Sequence, residues 1–292
     1  MSLSIAHLGP PGTYAEQAAV LYVNWLTKTT GTEATLCPYP SIAQSLQAVA
    51  AGKTQLAVVP VENSIEGSVT MTMDALWQLD SLQIQLALVM PIVHSLISVA
   101  SGLDKIEKVY SHPQALAQCQ NWLGQSLPNV QMIPSNSTTE ALQLLKQDLT
   151  AAAIASSRAA QLYNLPILAQ GINDYPENCT RFWVVSQNNA KFEYHINNLN
   201  PTHSSLAFSL PANIPGALIK PLQVFAELGI NLSRIESRPT KRSLGEYVFF
   251  LDLETDIQQP KMQSALADLI GYLEILKIFG SYGVLSVNTS ES

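Results

Sequence analysis

Short β-type runs alternate with helical stretches through residues 1–190, and this alternation restricts the fold of the chain more than any other feature. The runs lie at 5–8, 35–37, 56–59, 85–93, 108–110, 130–133, 152–155 and 182–185, with helical patterns at 15–26, 42–51, 115–123 and 139–147. Such an order predicts βαβ units, and so an α/β fold with mainly parallel sheets. Residues 187–203 are polar and weakly patterned, as expected of a linker. Beyond them the pattern becomes strand 205–210, helix 216–228, strands 231–238 and 246–253, helix 261–273 and strand 276–282. That is the βαββαβ order of a ferredoxin-like domain. The length of 292 residues suits two domains at roughly 150 residues each.

Bulk composition excludes several functions. A 47% hydrophobic, 13% charged chain can bury a core, and its net charge of −7 lacks the basic footprint of a nucleic-acid binder. No apolar run reaches the roughly 18 residues of a membrane span. The start, Met1-Ser2-Leu3-Ser4-Ile5, has no basic region of a signal peptide. Cys37, Cys119 and Cys179 are isolated thiols without metal-type spacing, which fits a reducing cytosol and a soluble cytoplasmic protein. Residues 1–190 contain only two arginines, Arg158 and Arg181, and five lysines. An anionic ligand there would depend on helix N-termini.

Four strand-to-helix junctions read as capping boxes: Thr13-x-x-Glu16, Ser41-x-x-Gln44, Ser111-x-x-Gln114 and Ser137-x-x-Glu140. Capping alone accounts for Ser41. The others lie in richer contexts, Gly9-Pro10-Pro11-Gly12-Thr13, Ser111-His112-Pro113-Gln114 and Asn136-Ser137-Thr138-Thr139. Ser111 and Gln118 are seven residues apart and can share one helix face at a strand's carboxyl end, where open α/β sheets bind ligands. Gly9–Thr13 lacks the features of a nucleotide loop. In Pro60-Val61-Glu62-Asn63-Ser64-Ile65-Glu66-Gly67, Asn63 either turns the chain or offers donor and acceptor groups to a ligand. Thr180 and Arg181 alternate across a strand, so they need not both face a cleft, and Arg181 can equally form a structural salt bridge. His7, His94 and His112 are scattered, and each alone reads as a structural residue.

Together these segments resemble the prephenate dehydratase family. The match rests on Gly9-Pro10-x-Gly12-Thr13, Pro60-x-Glu62-Asn63-Ser64-x-x-Gly67, Ser111-His112-Pro113-Gln114-Ala115-Leu116-x-Gln118-Cys119 and Thr180-Arg181-Phe182, and it spans nearly the whole chain. Residues 204–287 resemble an ACT domain, with Pro215-Gly216-Ala217-Leu218, Gly229-Ile230-Asn231-Leu232 and Glu236-Ser237-Arg238-Pro239. The resemblance implies a two-lobed α/β catalytic domain over 1–190, similar to periplasmic binding proteins, then a linker over 191–203, the ferredoxin-like ACT domain and a tail at 288–292. Because the chain starts at the first strand of the match, a monofunctional enzyme without a fused chorismate mutase is implied.

The implied reaction converts prephenate to phenylpyruvate, water and carbon dioxide on the route to phenylalanine. It needs no cofactor, because losing the ring hydroxyl and carboxylate makes an aromatic ring, and no metal ligand cluster is expected. The resemblance assigns catalysis to Thr180, Asn63, Ser111 and Gln118, and substrate contacts to Thr13, Glu62, Ser64, His112, Thr138, Arg181 and Phe182. Asn136–Glu140 departs from the smaller, Ala-rich version of many relatives. A threonine hydroxyl is too weak an acid to protonate the leaving group fully, so a hydrogen bond that strengthens in the transition state is expected. The rate should then be nearly flat with pH, whereas a limb near 6.5 would implicate His112. L-phenylalanine is the implied effector, as a feedback inhibitor acting on a homodimer or homotetramer. It would be held by Asn213, Gly216, Ala217 and Leu218 at a helix start, by Asn231 and Leu232, and by Glu236, Ser237 and Arg238. Gly216 can also serve as a helix start alone, and Glu236 and Arg238 share a strand face on which they can pair. Arogenate dehydratase and a non-catalytic two-lobed metabolite sensor are the alternatives.

Overall fold

The structure is a computed structural model that describes residues 3–145, 148–188, 190 and 199–287. The expected linker falls largely outside the described residues, and the tail at 288–292 lies wholly outside them. The first lobe contains β1 (Leu3–Leu8), α1 (Tyr14–Thr30), β2 (Ala34–Tyr39), α2 (Ile42–Ala50), β3 (Leu56–Asn63), the short β4 (Gly67–Ser68), α3 (Thr70–Gln78) and β5 (Leu82–Pro91). The second contains β6 (Ser95–Ile97), β7 (Lys108–Ser111), α4 (Pro113–Ala117), α5 (Gln120–Ser126), β8 (Gln131–Pro134), α6 (Thr138–Leu144), β9 (Ala151–Ala155), α7 (Ser157–Tyr163) and β10 (Ile167–Gln170). The chain then returns to the first lobe as β11 (Cys179–Gln187). The C-terminal unit comprises β12 (His203–Ser209), α8 (Ile219–Glu227), β13 (Leu232–Pro239), β14 (Tyr247–Leu253), α9 (Pro260–Leu269) and β15 (Ile275–Ser286).

The sheets are mixed rather than mainly parallel. β1 pairs in parallel with β2 and β3, but β11 runs antiparallel to both β3 and β5. Insertion of the second lobe explains this: the chain leaves at the carboxyl end of β5 and re-enters at that end, so the returning strand must run the other way. The second lobe is ordered β10-β6-β9-β7-β8, with β6 antiparallel to both neighbours. Apolar faces of α1 and α2 cover opposite faces of the first sheet. Tyr22 and Leu26 pack with Ile5 and Val58, whereas Leu46 and Val49 pack with Ala57 and Val59.

β15 runs longer than the sequence pattern indicated. Its first half pairs with β12, and Gly283–Ser286 then pair in parallel with Leu86–Val89 of β5. One sheet therefore continues from β13 through β15 and β5 to β2. Gly280 makes the crossing, with φ +111°; a Cβ there would lie 2.8 Å from Gln83 Cγ and 3.2 Å from the Ile84 carbonyl oxygen. The expected helix at 115–123 divides at Gln118–Cys119, and the helix expected from Gly216 begins at Ile219. Gly216 adopts φ +80°, which is incompatible with a helical turn, and Ala217 and Ile219 donate to the carbonyls of Ile214 and Gly216. The amides of Ala217 and Ile219 are thus already bonded.

Candidate active site

The hairpin between β3 and β4 sets the first catalytic candidate. Glu62 pairs with Ser68 and Asn63 with Gly67, leaving Ser64-Ile65-Glu66 as the turn. Asn63 Oδ1 accepts from the backbone amides of Ile65 and Glu66, both at 3.0 Å. Those N–H groups can only donate, so the orientation of the Asn63 amide is fixed. Its Nδ2 donates to Thr180 Oγ1 at 2.9 Å and to Asn178 Oδ1 at 2.8 Å. Asn63 therefore both turns the chain and addresses the site, through different atoms. The Thr180 hydroxyl, accepting from Asn63, keeps its own proton for another acceptor.

Asn178 extends this network toward the second lobe. It receives Ser64 Oγ on Oδ1 at 3.3 Å and donates from Nδ2 to Gln118 Oε1 at 2.9 Å. Gln118 in turn donates from Nε2 to Glu66 Oε1 at 3.1 Å. Thr180 and Gln118 are 7% and 6% exposed, while Glu66 and Ser64 are open to solvent. The result is a rim of mutually oriented amides and hydroxyls, with the Glu66 carboxylate accepting at its exposed edge. Asn178, Glu66 and His94, whose ring meets Gln118, belong to it but were not legible as site residues in the sequence. An Asn two positions before a reactive Thr was the available signal.

Ser111 departs from its expected role. His112 caps α4, accepting from Gln114 N on Nδ1 at 3.3 Å with Pro113 at the first turn. Ser111 is instead the last residue of β7, fully buried, and donates to the Ile154 carbonyl at 2.6 Å. Ser111 and Gln118 do not share a helix face, because α4 ends at Ala117. His112 faces an open depression of about 570 Å³ with Tyr110, Asn136 and Glu140. The capping pattern does hold at Thr13, Ser41 and Ser137, which accept from Glu16, Gln44 and Glu140 amides at 3.2, 3.2 and 3.0 Å. Thr138 opens α6 half-buried, and the adjacent Thr139 lies against Gly12.

Helix N-termini of α1, α6 and α7 converge where the lobes meet. A Cβ on Gly12, whose φ is +90°, would lie 3.0 Å from Thr139 Cγ2 and 3.4 Å from Ala159 Cβ. Ser156 Oγ donates to the Gly12 carbonyl at 3.4 Å. Arg158 binds both Glu16 carboxylate oxygens, at 2.9 and 2.7 Å, tying α7 to α1. Burial opposes ionisation of Glu16, but hydrogen bonds and attraction from Arg158 outweigh it and hold the carboxyl below its ordinary range.

Arg181 lies on the other face of β11 from Thr180. Its guanidinium donates to Asp252 of β14 at 3.2 Å and lies 3.8 Å from Glu62. Phe182, on Thr180's face, is 1% exposed and packs with Leu88 and Leu86 in the core. In the C-terminal unit, Arg238 donates to Asp74 of α3 at 3.1 and 3.3 Å rather than pairing with Glu236. Glu236 accepts from Ser68 Oγ at 3.0 Å, and Ser237 points away from both. Asn231 donates to Glu254 at 2.8 Å, and Leu218 and Leu232 pack against the unit's core. Asn213 lines a separate depression of about 360 Å³ with Arg242, Glu246 and Glu274. No group of His, Cys, Asp and Glu side chains able to hold a metal occurs among the described residues, and no helix there is long and apolar enough to cross a membrane.

Comparison with known proteins gives this geometry a family. Residues 5–190 match the family described as prephenate dehydratase, and residues 204–271 match the ACT domain. The prephenate dehydratase of Lactococcus lactis subsp. cremoris is 36% identical, covering 98% of this chain and 99% of its own. A bifunctional chorismate mutase/prephenate dehydratase of Aquifex aeolicus is 39% identical over 96% of this chain and 73% of that protein. The crystal structure of the Arthrobacter aurescens prephenate dehydratase in complex with L-Phe superposes with a TM-score of 0.85 at 34% identity, covering 96% of this chain and 90% of that one. A catalytic-family match across both lobes, followed by an ACT match on the βαββαβ unit, places this chain in the prephenate dehydratase family.

Proposed function

We propose that the chain is a prephenate dehydratase regulated by L-phenylalanine, with residues 1–190 catalytic and 204–287 regulatory. The orientation of the Thr180 hydroxyl carries this reading: Asn63 occupies one of its lone pairs, so its proton is available to the departing ring hydroxyl. As the ring carboxylate leaves as carbon dioxide, its bonding electrons complete the aromatic ring. The C–O bond breaks, and the hydroxide takes up a proton that comes ultimately from solvent. Thr180 stabilises charge developing on that oxygen, Asn63 and Asn178 hold Thr180 in place, and Gln118 orients the substrate through its amide. Ser64 touches this network through Asn178, Thr13, His112 and Thr138 remain candidate substrate contacts, and Glu62 lies with Arg181 on the other face of the sheet. Both arginines of residues 1–190 are ion-paired, Arg158 with Glu16 and Arg181 with Asp252. Substrate carboxylates are thus left to neutral donors and helix N-termini, and Arg181 serves the contact with the C-terminal unit.

The L-Phe complex of the Arthrobacter enzyme supports the same effector here, and the motifs around Gly216 and Glu236 are the positions proposed to bind it. We also read the protein as a cytoplasmic homo-oligomer. Purified protein should form phenylpyruvate from prephenate, more slowly with L-Phe present, with arogenate assayed in parallel. Turnover of arogenate alone would move the substrate assignment, and no turnover of either compound would refute the enzyme.

A further inference from the structure

A glutamine amide can present either of its ends to a cleft with almost the same shape, so its partners decide which end a substrate meets. For Gln118 the partners can be followed outward from the backbone. The Ile65 and Glu66 amides fix Asn63, Asn63 Nδ2 fixes Asn178 Oδ1, and Asn178 Nδ2 then donates to Gln118 Oε1. The carbonyl of Gln118 receives a second contact, from His94 Nε2 at 3.0 Å. An oxygen can only accept, so His94 Nε2 carries the hydrogen. Its Nδ1 then accepts, at 2.7 Å, from the Tyr14 hydroxyl, whose single proton is shared with the Val93 carbonyl at 3.0 Å. The ring is 2% exposed and packs edge-on to Tyr14, with centroids 5.5 Å apart. Its backbone is held as well: His94 N donates to Asn173 Oδ1 at 2.7 Å, and Asn173 Nδ2 to the Ile92 carbonyl at 2.8 Å.

We propose that His94, oriented by Tyr14, is a positioning residue that holds the Gln118 amide with its NH₂ end turned to the substrate. The inference rests on the assignment of Gln118 to substrate binding. A histidine that merely filled the core would need no hydrogen bond to a side chain of the site. Here both ring nitrogens are committed, one to α1 of the first lobe and one to the end of α4 in the second. Without the Nε2–H, only Asn178 at the oxygen and the exposed Glu66 at the NH₂ group hold the Gln118 amide, so its productive orientation is less strongly preferred. Each turn of the amide the other way would offer oxygen, not NH₂, to a dianionic substrate, which is a repulsive contact.

The test compares two replacements. His94→Asn keeps a polar atom near the Nδ1 position and lacks one near Nε2, whereas His94→Gln restores a donor near Nε2. H94N should lose about tenfold or more in kcat/KM for prephenate, with melting temperature and L-Phe binding as in the unmodified protein, and H94Q should recover most of that loss. H94N combined with Gln118→Ala should be no slower than Q118A alone, since the two residues act as one unit. Multiplying losses, or equal losses in H94N and H94Q, would overturn the proposal. Nitrogen-15 NMR of the full-length protein reads the same point without turnover. An Nε2–H tautomer at His94 is expected, and an Nδ1–H tautomer refutes the positioning role even in an active enzyme. Absence of prephenate turnover in the unmodified protein would count against the catalytic reading alone.

Discussion

Asn63 holds its own turn with Oδ1 and reaches Thr180 with Nδ2, so one substitution can separate the two tasks. Asn63→Asp keeps an acceptor for the Ile65 and Glu66 amides but replaces the donor facing Thr180 with an oxygen. Circular dichroism should be unchanged, while kcat falls by roughly 10²–10³, the usual loss for one preorganised donor. An unaltered kcat would remove Asn63 from the mechanism. His94 gives a second expectation at this scale. Burial holds its imidazole below the ordinary 6.5, despite the hydrogen bond to Gln118. As pH falls, the unfolded chain takes up this proton before the folded one does. Stability due to neutral His94 is therefore complete above about pH 6.5 and declines as pH drops toward the lowered folded value. Thermal unfolding from pH 7.5 to 5 should show this slope, and H94Q should show less of it.

The junction of α1 with α7 depends on a pair of elements rather than on one residue. Arg158→Ala would leave the Glu16 carboxylate, 8% exposed, without its partner. Breaking such a pair costs about 3–5 kcal/mol when fully buried, and the partly exposed guanidinium here argues for the lower end. Because the folded Glu16 value lies below the ordinary 4.5, its stabilisation is present above that value and is lost as pH falls through the folded one. Urea unfolding at pH 7 and at pH 3.5 should therefore separate the protein from R158A widely at the first pH and less at the second. The caps at the starts of α1, α2 and α6 were legible because a capping box is local, three residues long in its logic. Ser111 was not, since a carbonyl on β9 claims its hydroxyl and Pro113 moves the cap to His112.

At the scale of the whole molecule, Asp252 bridges the C-terminal unit and the catalytic-domain sheet. It is fully buried and accepts from Arg234 at 2.8 Å, from Ser205 at 2.6 Å and from Arg181 at 3.2 Å. Arg181 and Glu62 are strand neighbours of Thr180 and Asn63, and β13 reaches α3 and β4 through Arg238 and Glu236. A shift of β13 on effector binding would therefore be felt beside Thr180 and Asn63. Asp252→Asn should retain L-Phe binding by calorimetry while weakening its effect on turnover about tenfold, a coupling change of about 1.4 kcal/mol. Unchanged inhibition would place the coupling elsewhere. Gly280→Ala tests the mechanical half of the link. Its Cβ would meet Gln83 and Ile84, so β15 should detach from β5, with a drop of several degrees in melting temperature and faster proteolysis near residue 280.

Local patterns determined much of this protein without tertiary help. Alternating apolar runs set the α/β class and the βαββαβ unit, and i to i+3 spacing placed three helix starts, whereas Thr180, Asn63 and Gln118 came as site candidates from the family resemblance. What the sequence left open were matters of which distant group arrives. Two lobes formed by insertion made β11 antiparallel, the crossing of β15 joined the regulatory unit to the catalytic sheet, and Asp252 drew Arg181 to the far side from Thr180. Asn178 and His94 joined the candidate site only because folding brought them to Gln118, at 2.9 and 3.0 Å. Helix starts and strand patterns depend on neighbours in the chain, whereas a buried donor or charge is satisfied by whichever partner the packed molecule delivers.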